Sequence, residues 1–363
     1  MKKNILIFVA IVLSITLLAG CSISDKVEKD VKTTDNIVKG VSSDNSIVKI
    51  GLGHITSIDK SKDADEDVLA VGQVDTVMAA VGFDEDGKVV KVTIDNAQTK
   101  VNFDEDLKVS SNRDDVYKTK VELGDEYGMK GASQIGKEWF EQIAELEKWM
   151  IGKSIDEITS MKVVEKDASH PAVPDVAELT STVTVSVENY LAAVLEAYEN
   201  AVEVEAGATE LGLGNIVTIG KSKDLGDNVL PVAQVDNVMV ASAFDKEGKV
   251  KGVIIDTAQT KINFDAEGKI TTDKDGEFKT KVELGDEYGM KGASQIGKEW
   301  FEQIAELEKW MIGKSIDEIT SMKVVEKDAS HPAVPDVAEL TSTVTVSVED
   351  YLAATLKAFE NAK

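Results

Sequence analysis

Few residues of this chain belong to the types that build most metal and redox sites. Of 363 residues, one is cysteine and three are histidine. A lone Cys21 excludes a multi-cysteine metal site, a CxxC redox pair and an intramolecular disulfide. His54, His170 and His331 are too few and too scattered in the sequence to indicate a zinc or haem site. His170 and His331 each precede a proline and read as loop residues. No GxSxG nucleophile elbow occurs, so serine or histidine catalysis has no support. Basic residues are also short, 40 against 66 acidic, for a net charge of -26. That excess repels phosphate backbones and argues against nucleic acid. It permits attraction of cations or basic partners, and it serves solubility equally well.

The N-terminus sets the compartment. Lys2 and Lys3 precede an apolar run from Ile5 to Leu18, which ends in Leu18-Ala19-Gly20-Cys21. Residues 1–20 read as a secretory signal peptide rather than part of the fold. The small residues before the lone cysteine resemble a bacterial lipobox, which implies cleavage before Cys21 and lipidation of its thiol. Lipid chains there anchor a protein to the outer leaflet without spanning it. Residues 21–47 are rich in Ser, Asp and Lys and lack apolar periodicity, so they read as a flexible tether.

The remainder is duplicated. The segment from Gly72 matches that from Ala233, an offset of 161 residues, and Lys118–Glu188 is identical to Lys279–Glu349 over 71 residues. A period this long predicts two tandem domains, 48–203 and 209–363, each large enough to bury its own core. The joint falls in EVEAGATELG, Glu203–Gly212, where polar and small residues gather.

Each copy opens with a predicted β-hairpin, its turns at Gly87 and Gly248. The acidic turns DEDG and DKEG lack the full spacing and terminal Glu of a calcium loop. A helix is expected next, capped by Ser133, with Ile135, Trp139, Ile143 and Met150 on one face. Trp139 and Trp149 are expected in the core. Ser154 begins a short helix, and a longer amphipathic helix closes the copy. Strands followed by helices, with little βαβ alternation, predict an α+β fold.

The stretch PDVAELTSTVTVSV occurs twice, at 174–187 and 335–348. Its local propensity is that of a strand. The longer spacing of Val183, Val187, Leu191, Val194 and Tyr198 is helical, which predicts a helix with Ser181 as its N-cap. Thr184 then falls in a first turn, where free backbone N–H groups favour a phosphate.

In Glu178–Thr184 and Glu339–Thr345 an acidic residue is followed by Ser at three positions and Thr at six. This resembles a relaxed flavin-transferase target motif of FMN-binding domains. With YGMKGASQIGKEWFEQ, AQTK, the lipobox and the duplication, the mature chain resembles the PplA-like flavinylated surface lipoproteins of Gram-positive extracellular electron transfer. The resemblance implies two FMN groups in phosphoester linkage to Thr184 and Thr345, attached by an ApbE-type flavin transferase. Thr182 and Val183 stand where the motif has Gly and Ala, so Thr182 and Thr180 remain open as acceptors. The resemblance also implies electron transfer from a quinone-linked membrane donor to extracellular acceptors such as ferric iron. Tyr127, Gly128, Met129 and Lys130, repeated as Tyr288, Gly289, Met290 and Lys291, form a loop suited to approach the flavin, with Ser181 and Ser342 beside the acceptors. Asp95, Gln98, Asp256 and Gln259 are further polar candidates near a strand end. The rival reading is a solute-binding or adhesive surface lipoprotein without a redox cofactor.

Overall fold

The computed structural model describes residues 46–363. The expected signal peptide, the lipidated Cys21 and the tether up to residue 45 lie outside the described residues.

Strands β1 (Lys49–Ser57), β2 (Val71–Phe83) and β3 (Val89–Asn102) form an antiparallel sheet in the order β3-β2-β1. The β2–β3 connection is the expected hairpin, and Gly87 takes φ 75° in its turn. Next come α1 (Lys120–Leu123), a 3-10 turn (Gly124–Tyr127), α2 (Trp139–Met150) and α3 (Ile155–Thr159). A two-residue ladder of β4 (Val163–Val164) and β5 (Val173–Pro174) follows, and then α4 (Glu188–Glu199). Strand β6 (Val202–Glu203) returns to pair with the start of β1.

The same series of elements recurs in the second stretch: β7 (Glu210–Thr218), β8 (Val232–Phe244), β9 (Val250–Asn263), α5 (Lys281–Leu284), a 3-10 turn (Gly285–Tyr288), α6 (Trp300–Met311), α7 (Ile316–Thr320), β10 (Val324–Val325), β11 (Val334–Pro335) and α8 (Glu349–Glu360). The fold class is α+β.

Both sheets are buried on both faces. Along β2, Val74, Met78 and Ala80 join a core shared with Val235, Met239 and Ala241 of β8. The alternate residues Val77, Ala79, Val81 and Phe83 pack instead against Trp139, Ile143 and Val194 of the helices. This explains why Val77–Phe83 reads as a continuous apolar run rather than an alternation. The layers therefore run helices, sheet, sheet, helices, with Phe103 and Phe264 meeting edge-on at 5.2 Å in the central layer.

Helices and sheets touch through glycine. A Cβ on Gly51 or Gly53 of β1 would lie 1.6 Å or 2.0 Å from the carbonyl oxygens of Ala197 and Ala193 in α4. Gly212 and Gly214 of β7 stand in the same relation to Ala358 and Ala354 of α8. Only the absence of a side chain lets each helix backbone lie directly on its strand.

Two sequence expectations change at the level of domains. Each copy has an outer core of its own, but the central core is built jointly by both sheets. The expected joint is ordered: Val202 and Glu203 are strand, Glu205 N–H donates to the Lys251 carbonyl, and β7 begins at Glu210. Ile47, expected as the end of the tether, is buried in the shared core.

Helix starts were only partly legible. Ser154 and its counterpart Ser315 do cap α3 and α7. Ser133 does not cap α2, which begins at Trp139 with a capping box of Glu138 and Glu141. Ser181 does not cap the last helix of its copy, which begins at Glu188 after Val187. Residues 177–182 form turns, with the N–H groups of Thr182 and Val183 both donating to the Leu179 carbonyl, and residues 183–187 run irregularly into the helix. Thr184 therefore lies outside a helical first turn, and a helix-dipole account of phosphate binding there is withdrawn. Trp139 is buried as expected, whereas Trp149 is half-buried beneath Lys153.

Candidate functional site

The site is assembled by α2 and by the turns on either side of it. Gln142 projects from α2 and is fully buried. Its Oε1 accepts two hydrogen bonds from Thr184, 2.8 Å from the N–H and 3.2 Å from the hydroxyl. Its Nε2 donates to Ser133 Oγ at 3.3 Å and to the Lys137 carbonyl at 3.4 Å. One amide thus holds the threonine turn and the turn before α2 together. Gln303 repeats these contacts to Thr345, Ser294 and Lys298.

Glu138 fixes the third wall. Its side chain is buried at the start of α2, and its two carboxylate oxygens accept from the N–H groups of Met129 and Lys130 at 2.8 and 2.9 Å. Gly128 takes φ 76° just before them, a left-handed position that favours glycine. Glu299 holds Met290 and Lys291 in the same way, after Gly289.

These walls enclose a cavity of about 340 Å³ lined by Met129, Ser133, Lys166, His170, Thr184 and Val185. The corresponding cavity around Thr345 is about 170 Å³. Lys166 and His170 supply basic groups beside the threonine hydroxyl. His170 Nδ1 lies 2.9 Å from Asp167 Oδ1, and that hydrogen bond holds the Asp167 carboxyl below its ordinary range.

A second chamber of about 320 Å³ adjoins the first, and Met129, His170 and Val185 line both. Lys60, Asp75, Lys120, Tyr127, Trp139 and Tyr190 are among its other walls. Both volumes lie near the lower end of the roughly 300–1,000 Å³ spanned by small-molecule sites. Lys120 is the unusual group here. Its ammonium is buried, 4.9 Å from the Tyr127 ring centre and 5.2 Å from that of Trp139. Loss of water pushes its pKa down to about 8, with Asp75 opposing the shift. Lys281, between Tyr288 and Trp300, is likewise pushed down to about 8 and lines the matching chamber of about 460 Å³.

The expected site residues divide. Thr184, Met129 and Tyr127 line the joined chambers, and Thr345 and Met290 line the second small cavity. Tyr288 lines a neighbouring recess with Gln259 and Lys281. Gly128 and Gly289 shape their loop without lining a cavity. Lys130 and Lys291 are exposed, line none of these cavities and contribute backbone N–H groups to Glu138 and Glu299. Ser181 and Ser342 are exposed and face none of these cavities. Of the three threonines in the repeated motif, Thr184 alone lines the cavity, while the Thr182 hydroxyl turns back to the Leu179 carbonyl at 3.3 Å.

Asp95 is mid-strand rather than at a strand end. It accepts from the Thr119 hydroxyl at 2.6 Å and from Val121 N–H at 3.1 Å, which ties α1 to β3, and burial pushes its carboxyl up to about 6. Asp256 has the same structural place beside Val282. Gln98 reaches only the Tyr127 hydroxyl, at 3.5 Å.

Sequence reasoning missed Gln142, Lys120 and Lys166 with their counterparts, and it left His170 and His331 as plain loop residues. No local motif marks them, because their roles depend on turns that meet only in the fold. Comparison with known proteins finds no matching family model, no matching curated protein and no matching solved structure.

Proposed function

We propose that this chain is a membrane-anchored extracellular electron carrier holding FMN covalently on Thr184 and Thr345, within two homologous FMN-binding-type domains. One observation carries the reading. In both copies the last threonine of ELTSTVT borders a cavity, with its hydroxyl held by a fully buried glutamine and a lysine and a histidine beside it. A phosphate group suits Lys166 and His170 by charge, with the Asp167 carboxylate on the same wall paired to His170 and opposing an anion. A flavin ring suits the adjoining Met129, Val185, Tyr127 and Trp139, which offer apolar and aromatic surface, while Lys60, Asp75, Asn96 and Lys120 line the same chamber with polar and charged groups for the edge of the ring.

Bound FMN supplies the redox chemistry, taking up two electrons and releasing them one at a time. The chain's own residues attach, orient and tune. The Thr184 hydroxyl donates to Gln142 Oε1, which leaves its lone pairs available to a phosphorus atom. Attachment by an ApbE-type transferase would use a flavin dinucleotide as donor: the Thr184 oxygen bonds the FMN phosphorus, the phosphoanhydride P–O bond breaks, the nucleoside monophosphate leaves and the hydroxyl proton passes to a base. The Thr184 N–H still holds Gln142 at 2.8 Å, so the turn stays in place. Lys120 sets a buried positive charge beside the aromatic wall, and such a charge favours an electron-rich neighbour.

A lipid on Cys21 keeps the carrier at the cell surface, where a quinone-linked donor in the membrane can reach it. The strong excess of acidic over basic residues draws cationic acceptors such as ferric iron toward it. The test is a visible spectrum and an intact mass of protein co-expressed with a flavin transferase. A yellow product carrying two FMN adducts that survive denaturation supports the reading. A colourless, unmodified chain in the presence of active transferase overturns it and leaves solute binding as the alternative.

A further inference from the structure

His54, Glu196 and Glu283 come from three distant parts of the chain and meet at one junction between the two copies. His54 is on β1, Glu196 on α4 and Glu283 on α5. His54 Nε2 lies 3.0 Å from Glu283 Oε2 and 3.7 Å from Glu196 Oε1. One possible ligand atom from each residue falls within 4.8 Å of the others. Zinc bonds of about 2.0–2.1 Å in tetrahedral geometry put neighbouring ligand atoms ~3.3 Å apart. The two separations from His54 Nε2 bracket that value.

The surroundings orient each group. Glu196 Oε2 accepts from the His54 backbone N–H at 3.1 Å, which directs Oε1 toward the imidazole. Glu283 is held by Thr280 N–H at 2.7 Å in the capping box of α5. On the far side of the ring, His54 Nδ1 faces the Thr56 hydroxyl at 3.5 Å. An outer partner on one ring nitrogen, with the other turned to carboxylates, is the arrangement that fixes a metal-binding imidazole.

The strongest support comes from the sequence duplication. The offset of 161 residues carries His54 to Asn215, Glu196 to Lys357 and Glu283 to Glu122. At that second junction the Lys357 ammonium pairs with Glu122. The second junction thus has its own cation. The first has a glutamate in place of that lysine, two carboxylates on one buried imidazole and, among the described residues, no lysine or arginine paired to them.

We propose that His54, Glu196 and Glu283 bind one divalent transition-metal ion of the zinc type, which clamps the two copies at this junction as Lys357 does at the other. Few histidines do not preclude such a site, because two of its three ligands are glutamates. The proposal stands on this geometry and does not depend on the flavin reading.

The test uses the full mature chain, stripped of metal, with Zn²⁺ and Co²⁺ as probes. His170→Asn with His331→Asn first removes the two exposed His–Asp pairs at Asp167 and Asp328. That background variant should still bind one Zn²⁺ per chain in equilibrium dialysis, raise its melting temperature with Zn²⁺, and give Co²⁺ a tetrahedral visible spectrum. Adding His54→Asn should weaken Zn²⁺ binding at least a hundredfold, and adding Glu283→Gln at least tenfold. His54→Asn with Glu196→Lys copies the composition of the second junction. It should fold, melt near the metal-loaded protein and ignore Zn²⁺. Failure of the background variant to bind Zn²⁺, or equal binding after His54→Asn, overturns the proposal.

Discussion

Replacing Lys120 with Met should make the protein more stable at neutral pH, and the gain should vanish in alkali. The ordinary lysine value of 10.5 falls to about 8 here, mainly because burial strips water from the ammonium. A drop of roughly 2.5 units corresponds to ~3 kcal/mol of native-state penalty while the group is charged. The Tyr127 and Trp139 rings, 4.9 and 5.2 Å away, return about 1–2 kcal/mol. Met fills a similar volume without a charge. The net gain should be on the order of 1–2 kcal/mol at pH 7.

The sign follows from proton counting. Between about pH 8 and 10.5 the unfolded chain keeps the proton and the folded chain has lost it, so wild-type stability rises with pH across that window. Below about pH 8 the penalty is present in full. Urea unfolding of wild type and Lys120→Met from pH 6 to 10.5 measures both effects. The variant curve should lie above wild type at pH 7 and converge with it near pH 10. A variant less stable at pH 7, with the same slope above pH 8, would falsify the claim that this lysine is held at an energetic cost. A cation kept at such a cost beside a cavity belongs with function rather than stability.

Other expectations test different parts of the fold. Burial pushes the Glu308 carboxyl up to about 8, so wild-type stability should fall as pH rises from about 4.5 to 8; Glu308→Gln should flatten that limb in the same urea titration. Gly53→Ala places a methyl 2.0 Å from the Ala193 carbonyl oxygen, so α4 must shift. A loss of about 1–3 kcal/mol is expected by thermal unfolding, and an unchanged melting temperature would count against direct helix-on-strand packing. Cys21→Ser should release or misprocess the lipoprotein; a variant that fractionates with membranes as wild type does would remove the anchor.

How far the sequence was readable depended on how local each feature is. The hairpin turns at Gly87 and Gly248 and the Ser154 cap rest on neighbouring residues, and they were legible. The cap expected at Ser133 failed because its hydroxyl receives Gln142 Nε2, 9 residues along the chain, instead of a helical N–H. The helix expected from Ser181 failed for a different reason. Val183 and Val187 are both fully buried, so an irregular segment after the turns carried the same apolar spacing as a helix. The repeated threonine motif marked one wall of the candidate site. Its buried glutamine, its basic neighbours and the Lys120 chamber were illegible, because they come from segments that approach only after the sheets and helices are packed. The junction at His54 was hidden further, since Glu283 is 229 residues away.

The most direct test of the central claim is intact mass and visible absorbance of Thr184→Val, Thr345→Val made alongside wild type with an active flavin transferase. Valine keeps the shape of threonine and removes the hydroxyl that donates to Gln142 at 3.2 Å, while the N–H bond at 2.8 Å remains. The stability cost should be about 1 kcal/mol per site, small enough to leave the protein folded. Wild type should carry two FMN adducts, each single variant one, and the double variant none, with a matching loss of ferric iron reduction by cells. Full flavin occupancy in the folded double variant would contradict attachment at these threonines.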